Sequence, residues 1–215
     1  MRCRKIGLIV VIGEVAAGKS TLSQALVSVL KGRHVNSIYA YLNTELPMIA
    51  ELFKKIDPRN GYYLYISLLN FLVMIDSLLG ILKALFWWLI SKFCMVVVEE
   101  YLLGILFNHF YICKIDAHCS IKWTWKINWI CLSMFKPDFL IYLHLESVET
   151  IHRRQTLRKD KRLESKRYLF VQSILLDYLF TLVQNSFNIT AIKINTNVSS
   201  PDEVLRIVLD KCFGG

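Results

Sequence analysis

Short apolar runs alternate along the chain with longer segments in which apolar residues recur at helical spacing. The short runs are rich in valine, isoleucine and leucine, which is typical of strands that are buried on both faces of a sheet. Five of them are predicted to be strands, at residues 6–12, 35–42, 93–98, 139–145 and 189–195. Because strands and helices alternate, we predict an α/β fold with a five-stranded parallel sheet covered by helices on both faces, in one domain over residues 1–215.

The segments between the strands predict helices. In the first of them Leu22, Leu26 and Leu30 share one face, and Gly32 ends the pattern. Residues 102–135 mix helical spacing with many aromatic side chains and predict no clear element. Further helices are predicted at residues 45–56, 62–90, 147–158, 162–184 and from Pro201 onward.

The segment from Tyr62 to Ile90 is almost entirely apolar, and it exceeds the roughly 20 residues that cross a bilayer. However, Asp76 and Lys83 lie inside its most apolar window, and each charge is costly at the centre of a membrane. We therefore favour a long helix that is buried against the sheet or that forms a contact between two copies of the chain in a homodimer. A membrane span is the less favoured alternative.

The turn between the first strand and the first helix carries the strongest chemical signal. Residues 13–20 read Gly-Glu-Val-Ala-Ala-Gly-Lys-Ser and match the phosphate-binding pattern G-x-x-x-x-G-K-[ST] at every fixed position. Glycines let the backbone point its N–H groups at phosphate oxygens, and the N-terminus of the next helix adds positive potential. Lys19 is predicted to hold the phosphates of ATP and Ser20 to bind Mg²⁺. The predicted nucleotide-binding set is Gly13, Glu14, Val15, Ala16, Ala17, Gly18, Lys19, Ser20 and Thr21.

Two acidic residues follow the third predicted strand. Ligands of an open parallel sheet gather at the carboxyl ends of its strands, so Glu99 and Glu100 are placed near the phosphates. Successive side chains of a strand point in opposite directions, and we therefore expect only one of the two to face the site. Glu99, the first polar residue after the strand, is predicted to bind the metal or to accept a proton. The alternative, in which both acids are solvated in a loop, stays open.

A basic segment between Arg153 and Arg167 holds eight lysines and arginines among its fifteen residues. Arg154 and Arg158 are four residues apart and share a helix face. We predict that they close over the transferring phosphoryl group from a lid at about residues 154–167. The alternative is a solvated helix paired with its neighbouring acids.

Composition narrows the class of protein. The chain has 215 residues, 54% of them apolar, and a formal net charge of +9. Bound phosphates explain a local basic cluster, and no nucleic-acid-binding module accompanies it, so we expect small nucleotide ligands rather than a nucleic acid polymer. The basic start followed by an apolar run is interpreted as a first strand and not as a signal peptide, because it has no small-residue cleavage site.

The six cysteines show no C-x-x-C pair, and several lie in or beside apolar runs. We therefore predict reduced cysteines that pack as small apolar side chains, and a reducing, cytoplasmic location. His109, Cys113, His118 and Cys119 match no common zinc spacing, so packing is favoured over metal binding.

Taken together, these features resemble the thymidylate kinase and deoxynucleoside kinase branch of the P-loop kinases. The turn at residues 13–21 is similar to theirs, and Pro137-Asp138 followed by apolar residues resembles the start of their fourth strand. The helix with Arg154 and Arg158 and the lid follow in the same order. The resemblance covers residues 5–31 and 93–213, and it implies a three-layer P-loop fold, ATP as phosphoryl donor, Mg²⁺, and a nucleotide or nucleoside acceptor, with dTMP the first expectation.

One position departs from this family. Its members usually place an arginine after the acid that ends strand three, whereas this chain has Glu100. A carboxylate there would repel an acceptor phosphate, so either another arginine such as Arg59 substitutes or the acceptor is a deoxynucleoside. A third alternative, from another class, is a nucleotide-binding regulatory or membrane-associated protein that does not transfer phosphate.

Overall fold

The computed structural model describes residues 7–42, 62–116, 119–157 and 165–214. The five predicted strands are confirmed, with ends shifted by one or two residues. They pair in the order β2-β3-β1-β4-β5, and every pair is parallel. The strands are β1 (Gly7–Gly13), β2 (Ser37–Tyr41), β3 (Met95–Glu99), β4 (Phe139–His144) and β5 (Thr190–Asn195).

Helices cover both faces of the sheet, as predicted. The ambiguous segment at residues 102–135 contains parts of two α-helices and, between them, a π-helix, Tyr111–Asp116. The helix predicted at 45–56 and Arg59 lie outside the described residues. The α-helices are α1 (Lys19–Gly32), α2 (Tyr62–Ile90), α3 (Tyr101–Phe110), α4 (Lys122–Met134), α5 (Val148–Leu157), α6 (Lys166–Phe187) and α7 (Pro201–Phe213).

Strand β1 divides the core into two apolar layers. Because successive side chains of a strand point to opposite faces, Leu8 and Val10 join one layer, which α3 and α6 cover. Ile9 and Val11 join the other layer, which α1 and α7 cover. Residues 8–12 have no exposed surface at all. The turn between β1 and α1 therefore begins at a fully enclosed strand.

Helix α2 is confirmed as a helix, but it is not buried against the sheet as a whole. Its inner side packs on α3 and α4, where Leu69 and Val73 are buried. By length and composition, Tyr65–Ile90 could cross a membrane: its mean hydropathy is 1.9, and 28% of its most apolar window is buried. Most of the outer side is exposed apolar surface, for which the prediction of a buried helix does not account.

The prediction that all cysteines are reduced is wrong for one pair. Cys113 and Cys119 form a disulfide, with their Cα atoms 4.3 Å apart. Cys113 lies in the π-helix, and a separation of six residues gave no recognisable pairing signal. Cys94, Cys131 and Cys212 are free, and Cys3 lies outside the described residues.

Candidate active site

The turn between β1 and α1 depends on glycine at two positions. A Cβ atom at Gly13 would lie 2.4 Å from the carbonyl oxygen of Leu143, so no larger residue fits between β1 and β4. Gly18 has a φ of 94°, a left-handed conformation that glycine adopts without steric cost. Ala16 is also left-handed, with a φ of 62°. These conformations curve the backbone into a loop in front of α1.

The loop ends at a set of backbone donors. The first N–H groups of an α-helix have no carbonyl partner one turn earlier, and here they belong to Lys19, Ser20 and Thr21. Together with the positive end of the helix, they form a site for an anion such as phosphate. On the opposite side of the loop, the N–H of Val15 donates to Oε1 of Gln172 on α6 at 3.0 Å. This contact fixes the loop to the helical layer.

Lys19 extends back across the loop. Its Nζ donates to the carbonyl oxygens of Gly13 and Glu14 at 2.9 and 3.0 Å. It also forms an ion pair with Oε1 of Glu100 at 3.0 Å. The ammonium group is therefore held at the mouth of the loop, where a bound phosphate would compete with Glu100 for it.

Glu99 lies beside the first turn of α1, as predicted. Its Oε2 accepts a hydrogen bond from Ser20 Oγ at 3.0 Å, and its Oε1 accepts one from the Tyr39 hydroxyl at 2.7 Å. Burial and the carboxylate of Glu99 raise the pKa of Tyr39 to about 12, so the hydroxyl stays protonated and remains a donor at neutral pH. Glu99 is 1% exposed and is held by both contacts.

The expectation that only one of the two acids faces the loop is wrong. Strand β3 ends at Glu99, and Glu100 has a φ of 69°, so the alternation of a strand no longer applies. Its N–H donates to Val11 of β1 at 3.0 Å, and its side chain turns toward Lys19. Gly104 makes room for it, because a Cβ atom there would lie 2.7 Å from the Glu100 Cβ. Both carboxylates therefore border the loop.

The side chain of Glu14 has a structural role. It is completely buried and accepts hydrogen bonds from the Tyr142 hydroxyl at 2.7 Å and the Leu145 N–H at 3.1 Å. Nδ1 of His144 lies 2.9 Å from the same carboxylate. Burial and this carboxylate raise the pKa of Tyr142. The Glu14 side chain therefore connects the loop to β4. Only the main chain of Glu14 contacts Lys19.

The residues present fit a magnesium ion. Mg²⁺ prefers oxygen ligands and takes one or two of them from protein side chains, with water and phosphate completing the shell. The Ser20 hydroxyl and the Glu99 carboxylate lie in contact at the start of α1, next to the anion site. These two groups are the ones that would hold the ion.

A cavity of about 440 Å³ lies beside the loop. Arg154 borders it, and its Nη2 donates to the carbonyl oxygen of Thr196 at 2.7 Å, which links α5 to the end of β5. Arg158 and residues 159–164 lie outside the described residues, so the predicted lid is seen only at its two ends. The cavity lining includes Gly18, Thr21, Leu143, Leu157, Pro201 and Val204.

Solved structures share this arrangement of strands and helices. A deoxyadenosine kinase from M. mycoides, with products dCMP and a flexible dCDP bound, has a TM-score of 0.59 and 15% identity, over 95% of this chain and 98% of that chain. A thymidylate kinase from Candida albicans has a TM-score of 0.60 and 16% identity, over 95% of this chain and 89% of that chain. The chain has the fold of the P-loop nucleoside and nucleotide kinases.

The likeness to these kinases is a likeness of fold. The same M. mycoides enzyme with dATP bound also matches, with a TM-score of 0.59 at 16% identity over 96% of this chain and 98% of that chain. No family model matches the sequence, and no curated protein matches it either.

Within this kinase fold, the predicted residues separate into two groups. The loop, Lys19, Ser20 and Glu99 lie together at the carboxyl end of the sheet. Arg154 lies instead at the cavity, where it donates a hydrogen bond to Thr196, the residue after β5. Sequence reasoning missed Tyr39, Gln172 and Tyr142. Tyr39 could have been noticed as a polar tip near the carboxyl end of β2, but no local signal marks the other two.

Proposed function

We propose that the protein transfers the γ-phosphoryl group of ATP to a small nucleoside or nucleotide, with Mg²⁺ as cofactor. The observation that carries the proposal is the loop at residues 13–20, with Lys19 and the Ser20–Glu99 pair at its mouth. Phosphoryl transfer needs little covalent help from a protein, and positioning and electrostatic stabilisation supply most of the rate. The groups in this site are of the required kinds.

For the donor, the backbone N–H groups of α1 and the Lys19 ammonium would hold the phosphates, while the cavity beside Gly18 would take the base. The apolar walls of the cavity suit a flat ring, and Arg154 offers a planar guanidinium at its edge. When bound, Mg²⁺ would neutralise charge on the phosphates. Ser20 and Glu99 would position it, and Arg158 would add positive charge when the lid closes.

For the acceptor, Glu99 would orient the attacking hydroxyl or accept its proton. As the first acceptor to test we propose dTMP, because the order of motifs resembles thymidylate kinases. The ion pair of Glu100 with Lys19 favours a second candidate, an uncharged deoxynucleoside, since a carboxylate at this point repels an acceptor phosphate.

We further propose a cytoplasmic location, where ATP serves as donor. The Cys113–Cys119 disulfide argues against it, because disulfides are rare in reducing compartments.

The test is a transfer assay with labelled ATP, Mg²⁺ and a panel of nucleosides and nucleoside monophosphates. A labelled product identifies the acceptor and separates the two candidates. Nucleotide binding without any product would instead support the third alternative, a regulatory protein that binds ATP. Failure to bind either ATP or GTP in the presence of Mg²⁺ would reject the kinase proposal.

Replacing Arg154 with alanine should weaken ATP binding. A guanidinium stacked on an aromatic ring contributes roughly 1–2 kcal/mol, so we expect the Kd for ATP to rise by about five- to thirtyfold. Equilibrium titration with a fluorescent ATP analogue measures this. Arg153→Ala is the matched control, because Arg153 is the exposed neighbour on α5 and should leave the Kd unchanged. Equal effects of both variants would contradict a site for the donor in the cavity.

Replacing Glu100 with glutamine should shift acceptor preference toward monophosphates. Removing one negative charge near the acceptor phosphate lowers the repulsion energy by about 1 kcal/mol or more. This corresponds to a roughly fivefold rise in kcat/KM for the monophosphate relative to kcat/KM for the nucleoside. The ratio of the two kcat/KM values measures the shift. Asp210→Asn, a neutralised exposed acid near the end of α7, is the control. An unchanged ratio in Glu100→Gln would show that Glu100 does not face the acceptor.

A further inference from the structure

The outer side of α2 carries a continuous apolar stripe. Phe71, Leu78, Leu82, Phe86 and Leu89 recur at helical spacing on this side, and each is between 47% and 61% exposed. Single exposed apolar residues are common on soluble proteins, but a stripe along a whole helix marks an interaction surface.

Helix α4, which packs against α2, carries a second stripe. Trp123 is 78% exposed, and Ile127, Ile130 and Met134 follow on the same side of the helix at 37%, 56% and 61%. The two helices are in direct contact, because Asn128 of α4 hydrogen-bonds Ser77 of α2. The two stripes together are named the α2–α4 face.

The exposed charges of the segment that carries the α2–α4 face have one sign. Within the described side chains from Tyr65 to Lys136, Asp76 and Glu99 are buried and Glu100 is paired with Lys19, so none of these acids is exposed. The exposed charged residues in this part of the chain are Lys83, Lys92, Lys114, Lys122, Lys126 and Lys136.

Two of these lysines lie over the rings of tryptophans in α2 and α4. Nζ of Lys92 lies 4.2 Å from the ring centre of Trp88, and Nζ of Lys126 lies 5.7 Å from that of Trp123. Tryptophan and lysine next to an apolar stripe are typical of helices that lie in the interface of a membrane.

We propose that the α2–α4 face docks the protein on an anionic lipid surface. Lysines near such a surface gain attraction from phosphatidylserine or other anionic headgroups, and the stripes bury their apolar side chains at the acyl boundary. A second copy of the chain fits the face less well, because a symmetric contact brings lysines of one copy against lysines of the other.

The helix lies on the membrane and does not cross it. The inner side of α2 is committed to the domain: Asp76 contacts His109 of α3 at 2.9 Å inside the core, and a Cβ atom at Gly80 would overlap the Ile105 side chain. A span would need α2 to leave these contacts and place Asp76 in hydrocarbon.

Vesicle flotation with the purified full chain tests the proposal, and it requires no turnover. We expect binding to vesicles in which phosphatidylserine replaces about a third of the phosphatidylcholine, and much weaker binding to phosphatidylcholine alone. Binding should fall as salt is raised. Equal binding to both vesicles, or to neither, would overturn the proposal.

Matched variants locate the surface. Ile130→Glu should weaken flotation by about tenfold or more, because it places a charge inside the apolar stripe. Ile174→Glu is the control: Ile174 is also 56% exposed, but it lies on α6 outside the two stripes. Lys126→Ala should weaken binding to the anionic vesicles by about fivefold, and Lys211→Ala on α7 should not. Equal loss in Ile130→Glu and Ile174→Glu would reject this face.

Two further measurements complete the test. Thermal melts of each variant verify folding, and Met134→Glu provides a second variant of the same stripe if Ile130→Glu does not fold. Sedimentation of the free protein tests whether a second copy of the chain covers the face instead. A stable dimer that Ile130→Glu dissociates, without flotation of the parent protein, would show that a second copy covers the face and would overturn the lipid proposal.

Discussion

Replacing Lys19 with alanine should lower the rate of phosphoryl transfer by about a thousandfold while the protein stays folded. Lys19 is the cation held at the mouth of the loop, and removing one preorganised group that stabilises the transition state costs about 10²–10³ in kcat. A coupled assay of ADP formation measures the rate, and a thermal melt measures the fold.

The fold should survive this change, because none of the strand pairs depends on Lys19. Losing the contacts of Lys19 would leave Glu100 without its ionic partner, which lowers the free energy of unfolding by about 1–2 kcal/mol. Lys31→Ala is the control, since Lys31 is exposed in the last turn of the same helix. Transfer that persists in Lys19→Ala would place the phosphate site elsewhere.

Replacing Glu14 with alanine should cause the largest loss of stability. The Tyr142 hydroxyl and the Leu145 N–H would both lose their acceptor inside the protein, and each buried unsatisfied donor costs about 1–3 kcal/mol. A total of about 3–5 kcal/mol lowers Tm by roughly 10 °C in a chain of this size. Differential scanning calorimetry measures the shift.

A double-mutant cycle separates this interaction from general damage to the loop. Tyr142→Phe removes the donor as well, so Glu14→Ala should cost less in that background than in the parent protein. Glu203→Ala, at an exposed acid in the first turn of α7, should change Tm little. Additive effects of Glu14→Ala and Tyr142→Phe would contradict the hydrogen bond as the source of the stability.

The features that the sequence predicts well are local. Each strand is a short apolar run whose composition suits burial on both faces, and the loop needs glycine where the backbone is left-handed at Gly18. Glu99 could be placed because it is the acid at the carboxyl end of β3. In each case neighbouring residues determine the structure, and their order in the chain is enough to recognise it.

The features that it predicts poorly depend on residues far apart in the chain or on a single dihedral angle. Glu14 bonds Tyr142, which is 128 positions later, and the loop bonds Gln172, which is 157 positions after Val15. Glu100 turns to Lys19 only because its φ is positive. The exposure of α2 is equally invisible to composition, because an apolar helix has the same sequence whether its outer side is buried or free.

The position of β1 has a consequence for how the site can be observed. This strand lies between β3 and β4, and the loop at residues 13–20 extends from its end. Amides in such a central strand exchange with solvent only when the whole domain opens. In a deuterium-exchange experiment, the exchange rate of these amides would therefore report how often the whole domain opens. A nucleotide that slows amide exchange at the first turn of α1 or along α5, and does not slow it in β1, would have a local effect.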